Sequence, residues 1–281
     1  MIRLHVRQFY YLFLLMVNTI MSLIHPSAIV SCEAQIGENT KIGPFVVIEG
    51  NVKIGNDCFI GPMVHIKENV EIGDNCRIYT SAVIGNPPQD LKYKGESSFA
   101  RIGKNNTIRE FVTINTATGE NQSTIIGDNN LLMAYVHIAH NCIIKNNCVI
   151  ANAATIAGHV FIDDYAIIGG LVGIHQFSRI GKHSIIGGCS KITKDIIPFI
   201  TADGRPARPC GINIFGLKRR NFSEETISIL NEAYRTIFRK NLTTQESIRI
   251  LSTEFSGIPE IREIIEFINL SERGIARERL T

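Results

Sequence analysis

The stretch IGDNNLLMAYVHIAHNCIIKNNCVIANAATIAGHVFIDDYAIIGGLVGIHQFSRIGKHSIIGGCSKI (126–192) carries an aliphatic residue at every sixth position, from Ile126, Leu132 and Ile138 through to Ile180, Ile186 and Ile192. An α-helix repeats near 3.6 residues and a flat strand at 2, so neither explains a period of six. A sustained hexad predicts a solenoid in which each repeat is one short strand plus a corner. Upstream the same beat runs through Val30, Ile36, Ile42, Ile48, Ile54, Ile60, Ile66, Ile72, Ile78 and Ile84, then Ile102, Ile108 and Ile114. It breaks at 85–101, where Pro87, Pro88 and several charges predict a loop leaving the coil, and again at the polar stretch 115–124. Glycine follows the aliphatic at Gly37, Gly43, Gly55, Gly61, Gly73 and Gly85, which predicts corners that need positive φ there.

Composition fits this reading. In 281 residues, 44% are hydrophobic and 20% charged, Trp is absent, and the net charge of +3 is far from the footprint of a nucleic-acid binder. Cys58, Cys76, Cys142 and Cys148 each fall two residues before a hexad aliphatic, in a phase elsewhere held by Ala, Thr, Val and Ser. That is a small inward position, where Cys acts as a compact hydrophobe and not as a zinc ligand. Reduced thiols point to a cytoplasmic protein. Residues 1–23 form an apolar extension with Arg3 and Arg7 ahead of Phe9–Val17; it reads as signal-like or as a short anchor. Because the hexad phase starts directly after Met21, the favoured reading makes Met21 the working start, and no stable membrane insertion is expected.

The solenoid is assigned to 24–200, and 201–281 to a C-terminal segment and α-helical domain that caps the open end of the coil. Ser223 with Glu224 and Glu225 predicts a helix start, with Ile227, Leu230, Ala233, Tyr234 and Ile237 on one face and an end near Lys240. Thr243 with Glu246 predicts a capping box for a second helix. Pro259 opens a third, expected to end near Gly274.

The hexads resemble those of the hexapeptide-repeat acyltransferases, which fold as left-handed parallel β-helices with three hexads to a triangular coil. The resemblance therefore implies a mainly β chain, a left-handed parallel β-helix followed by helices. With eighteen residues per coil, His140 stacks under Gly158, beside His159, and two coils on lies Gln176, beside His175. His137, His140, His159 and His175 are thus expected along one edge, roughly 5–10 Å apart given strand spacing. None occupies the aliphatic or the small inward phase.

Such a row has two readings. Histidines on a β-helix hold zinc in γ-class carbonic anhydrases, and elsewhere one serves as general base for acyl transfer. Six segments favour the second: Gln-Asp-Leu-Lys-Tyr (89–93), Asn-Leu-Leu-Met (130–133), His-Ile-Ala-His (137–140), Ala-Gly-His-Val (157–160), His-Gln-Phe (175–177) and Gly-Leu-Lys-Arg-Arg (216–220). Together they closely resemble the UDP-N-acetylglucosamine O-acyltransferases, which open lipid A synthesis, over roughly 24–275. The nearest rival, the later N-acyltransferase of that pathway, carries an N-terminal uridine-binding domain for which no room remains before residue 30. A non-catalytic β-helix scaffold is the other alternative, separated by the effect of His140→Ala.

The resemblance implies a homotrimer acting on UDP-N-acetylglucosamine and a 3-hydroxyacyl acyl carrier protein, with no metal and no cofactor. It implies His140 as general base and Gly158 as backbone donor to the oxyanion. Asp90 and Lys92 would reach substrate across a subunit interface. Gln89, His137, His159, His175 and Gln176 would position substrate, Asn213, Arg219 and Arg220 would hold the diphosphate, and Gly188 would set acyl length, a glycine implying a long chain. Two positions depart from the pattern. The residue after the base is Asn141 where Asp is usual, so it can orient the imidazole but cannot stabilise its cation by charge. Phe215 stands where an acidic residue often contacts the nucleotide.

Overall fold

The computed structural model describes residues 23–277, so the 1–23 extension lies almost wholly outside the described residues. Strands of two to four residues wind into three parallel sheets that form the faces of a prism. Face 1 runs from Ile29–Val30 to Lys191–Ile192 in nine strands, and face 2 from Gln35–Ile36 to Arg179–Ile180 in eight. Face 3 has ten strands, from Lys41–Ile42 through Ile185–Ile186 and onward into an antiparallel hairpin, Ile200–Gly204 and Ala207–Ile212. The sheet therefore continues past residue 200, the boundary given to the solenoid from the sequence. Each aliphatic stacks on the one a coil away, Ile138 on Ile156 and Ile156 on Ile174, and the column is buried from Ile48 onward.

Corner geometry differs from the sequence expectation in one respect. Among the six glycines, only Gly85 has positive φ. The left-handed residue is the third after the aliphatic, as at Asn39, Asn51, Asp57, Asn69, Asn75 and Asn147, and Asn and Asp tolerate that region best. Glycine directly after the aliphatic answers a different need. Corners stack so closely that a Cβ on Gly37 would strike the backbone of Gly55 one coil above.

The thiols lie where the phase put them. Cys58, Cys76, Cys142 and Cys148 are buried, and burial pushes the Cys142 and Cys148 thiols up to about 12. Along the corner between faces 2 and 3 this inward position also carries a polar ladder. The Asn106 Oδ1 accepts from the Asn130 N–H (2.8 Å), and the Asn130 Oδ1 accepts from the Cys148 N–H (2.7 Å) while its Nδ2 donates to the Lys145 carbonyl (2.9 Å). Asn130→Ala strands both the Cys148 N–H and the Lys145 carbonyl, each loss being worth about 1–3 kcal/mol. Urea denaturation is expected to show a destabilisation of about 2–5 kcal/mol, against no more than about 0.5 for a surface Asn→Ala elsewhere.

The same corner joins the coil to the helices. His183 stacks between Tyr165 (4.8 Å between centroids) and Phe199 (5.8 Å), with Phe222 edge-on at 5.2 Å. Burial, aided by Lys182 and Arg220, depresses His183 to about 4, so it stays neutral in the stack at ordinary pH. Helix α1 (Ile214–Arg219) follows the hairpin, then α2 (Glu224–Phe238), α3 (Thr244–Glu254) and α4 (Pro259–Asn269). Ser223 caps α2, whose buried face includes Ile227, Leu230, Ala233, Tyr234 and Ile237. The Thr243–Glu246 capping box opens α3. α4 stops five residues short of Gly274 because the chain turns back onto the coil. There the buried Asp195 accepts from the Ser271 hydroxyl (2.6 Å), its N–H donates to the Gly274 carbonyl, and its carbonyl accepts from the Ala276 N–H.

Candidate active site

Both interruptions of the hexad leave at the corner between faces 1 and 2, two coils and one coil below the coil that carries His140. The Asn115 Nδ2 donates to the Pro87 carbonyl (2.7 Å), Glu96 Oε1 accepts from the Gly119 N–H (3.0 Å), and the Asn121 N–H donates to the Ser97 carbonyl (2.8 Å). The two loops thus brace each other against the base of the site.

His140 is buried at this corner and held from both sides. Its Nδ1 lies 2.9 Å from Asn141 Oδ1. That oxygen also accepts from the Thr118 N–H and the Thr118 hydroxyl, both at 2.9 Å, while Asn141 Nδ2 donates to the Thr118 carbonyl (3.1 Å). The Thr118 backbone therefore fixes which end of the amide faces the ring, independently of the histidine. An acceptor facing Nδ1 requires Nδ1–H, and so leaves Nε2 with a free lone pair. Nε2 looks toward Asp90, whose Oδ2 is 3.7 Å away in the same chain.

Gly158 sits directly over the ring. A Cβ there would lie 2.5 Å from both Cε1 and Nε2 of His140. Its own N–H has no acceptor among the described residues. His159, next along, packs edge-on to His140 (5.2 Å, 88°) and stacks on Phe177 (4.6 Å). Burial, and then the neighbouring His140, lower the His159 pKa, which keeps it neutral.

The remaining expected residues are distributed as follows. His137 belongs to face 1 and not to the corner itself; its Nδ1 pairs with the Thr113 hydroxyl (2.8 Å), and burial lowers its pKa. His175 and Gln176 are exposed at the same corner two coils above His140, and Gln89 and Lys92 are exposed on the 87–98 loop. Gly188 lies at a different corner, between faces 3 and 1, so one chain does not bring it to His140. Asn213 belongs to the third corner. It is buried, caps α1 by accepting from the Gly216 N–H, and donates to the His183 carbonyl (2.8 Å). Arg220 covers the Tyr165 ring (3.8 Å to its centroid), and Arg219 and Phe215 are exposed beside it.

One feature had no mark in the hexad count. At the corner between faces 3 and 1, the left-handed position holds Phe45, Met63, Phe111, Tyr135 and Leu171, all exposed, with Phe111 and Tyr135 stacked at 4.9 Å. Reading every sixth residue hides it, because the row appears only at a step of one full coil. Among the described residues no three His, Cys, Asp or Glu side chains converge to hold a metal ion, and no helix is long and apolar enough to cross a membrane.

Comparison with known proteins agrees with this geometry. Residues 51–86 and 123–158 match the bacterial transferase hexapeptide model, and 195–276 match the second domain of UDP-N-acetylglucosamine O-acyltransferase. The chain is 50% identical over 262 residues to the acyl-[acyl-carrier-protein]–UDP-N-acetylglucosamine O-acyltransferase of Burkholderia orbicola, covering 92% of this chain and all of that one. The crystal structure of the Bacteroides fragilis UDP-N-acetylglucosamine acyltransferase superposes with a TM-score of 0.88 at 47% identity, over 90% of this chain and all of that one. The Francisella novicida enzyme gives 0.89 at 39% identity, over 92% and 95%. The winding is accordingly that of a left-handed parallel β-helix ending in helices, and the chain belongs to the UDP-N-acetylglucosamine O-acyltransferase family.

Proposed function

We propose that the protein transfers an (R)-3-hydroxyacyl group from acyl carrier protein to the 3-hydroxyl of UDP-N-acetylglucosamine, the first step of lipid A synthesis, with His140 as general base. The observation that carries this is the imidazole whose Nδ1–H is tied to Asn141 and whose Nε2 lone pair is left free beneath Gly158. Nε2 takes the hydroxyl proton as the oxygen attacks the thioester carbonyl. The Gly158 N–H donates to the oxyanion of the tetrahedral intermediate. On collapse the carbon–sulfur bond breaks, and the imidazolium returns its proton to the carrier thiolate. Asp90, Lys92, Gln89, His137, His159, His175 and Gln176 line the acceptor and acyl path, and Arg219 offers its guanidinium to the diphosphate.

A homotrimer is part of this reading, and two observations support it. Residues assigned to one site occupy all three corners of a single prism: His140 at one, Gly188 at the second, Asn213 with Arg220 at the third. Corners of one chain cannot converge, but corners of neighbouring chains can. The exposed Phe45, Met63, Phe111, Tyr135 and Leu171 along one corner, broken by Ser81 and Ala153, make the kind of apolar surface that marks an interface.

Gly188 has room for a side chain, since its nearest neighbour to an added Cβ is the Gly170 carbonyl oxygen at 3.4 Å. Gly188→Met should fold normally and shift preference toward shorter hydroxyacyl chains by about tenfold or more, a few methylenes being worth ~1–3 kcal/mol each. The deciding experiment incubates the purified protein with UDP-N-acetylglucosamine and hydroxyacyl carrier proteins of graded length, with mass spectrometry of the product. O-acylated sugar nucleotide is the expected result. No transfer from any carrier would overturn the reading.

A further inference from the structure

We infer that Asp90 supplies the negative charge that the residue beside the base lacks in this chain, and that it stabilises the imidazolium of His140 as the cation forms. The inference rests on the acyl-transfer reading above. Its starting point is a division of labour visible around one ring. Asn141 orients His140, but its oxygen is neutral and already receives three donors, two from Thr118 and one from the ring. A neutral amide fixes the tautomer and does little for a positive charge. During transfer the imidazole gains a proton at Nε2 and becomes a cation in a buried corner, which is unfavourable unless a counter-charge is near.

Only one carboxylate is placed to meet it among the described residues. Asp90 Oδ2 is 3.7 Å from Nε2, while Asp90 Oδ1 accepts from the Lys92 N–H (2.9 Å), so the carboxylate is aimed by its own loop. The spacing is too long for a direct hydrogen bond, so Nε2 stays open to the acceptor hydroxyl. It is short enough for a strong charge–charge attraction in a water-poor site. Other ionisable groups around the ring do not substitute. His159 is held neutral by burial, and Lys92 carries the wrong sign. Glu96 accepts from the Gly119 and Lys94 N–H groups, and Glu120 from the Ser97 N–H, which commits both to loop backbone. The proton passes from sugar hydroxyl to Nε2 and on to the leaving thiolate.

The test moves the charge from one side of the ring to the other. Asp90→Asn keeps the shape and an acceptor oxygen but removes the charge, and is expected to lower kcat about 10- to 100-fold with less than a threefold change in KM for the sugar nucleotide. Adding Asn141→Asp in the same chain is expected to restore at least a tenth of the wild-type kcat, because the carboxylate now faces Nδ1–H. Asp90→Glu, which retains the charge on a longer stem, should fall between wild type and Asp90→Asn. A contact to sugar alone would raise KM and would not be rescued from position 141. Failure of the double variant to exceed Asp90→Asn, with Asp90→Glu no better than Asp90→Asn, overturns the inference. The unaltered chain in the same assay separates the two levels: turnover there upholds acyl transfer whatever the variants do, and no turnover overturns both.

Discussion

Gly158→Ala should all but abolish turnover while leaving the coil folded. The backbone at Gly158 is outside the left-handed region, so alanine adds no backbone strain. Its Cβ, however, would stand 2.5 Å from Cε1 and Nε2 of His140 and 3.1 Å from Nδ1. Real carbon contacts are near 3.5 Å or longer, so the ring must move by about an ångström. It has little freedom to do so, with Asn141 holding Nδ1 and His159 packed edge-on against the ring. A displacement of that size in a catalytic group costs about 10²-fold, and loss of the base altogether up to about 10⁴. Steady-state kinetics should show kcat/KM down by that range, with the thermal transition moved by only a few degrees. A variant within fivefold of wild type would mean that the imidazole does not act from this position.

His140→Ala is expected to lower kcat by about 10²–10⁴-fold with KM for the sugar nucleotide changed little, since the base is used in the transition state and not for ground-state binding. The double variant then carries the sharper information. If the methyl group added at Gly158 acts by displacing the base, there is nothing left to displace once the base is gone. His140→Ala with Gly158→Ala should be about as slow as His140→Ala alone, and the free energies should fail to add. Full additivity would show that the added methyl acts by some route other than displacing the base. Loss confined to KM in the single His140 variant would make this residue a binding group instead.

The coil was legible because its signal is repeated: one aliphatic in six, a small residue two places earlier, and the same phase through Cys58 and Cys148. The helices were legible for a similar reason, since Ser223 and the Thr243–Glu246 pair announce themselves within four residues. What escaped was of three physical kinds. Glycine after the aliphatic reads as a demand on backbone conformation when it serves close stacking, and sequence alone does not separate those causes. Asn141 is at once the ring's hydrogen-bond partner and an ordinary occupant of the left-handed corner position, like Asn51 and Asn69, so its identity alone is ambiguous. The approach of Asp90 to Nε2 depends on how the 87–98 loop folds back, and the bonds that decide it run from Asn115, Glu96 and Ser97, none of which belongs to the hexad pattern. The corner assignment of Gly188, by contrast, was available from counting; the phase places it on another edge.

The winding also limits which insertions and deletions the molecule survives. Loss of six residues between Asn141 and Gly158 would leave every strand with a partner, yet turn all that follows by a third of a revolution and carry His159 round to another side. Loss of one full coil of eighteen residues that includes Gly158 would restore the azimuth but lower it by one strand, bringing Gln176 over His140 in place of Gly158. Length can therefore change freely only where the chain balloons outward between strands, as it does at 87–98 and 116–122. Both bulges open at the corner beneath His140, so variation in their length reshapes the rim of the site without dephasing the barrel above it.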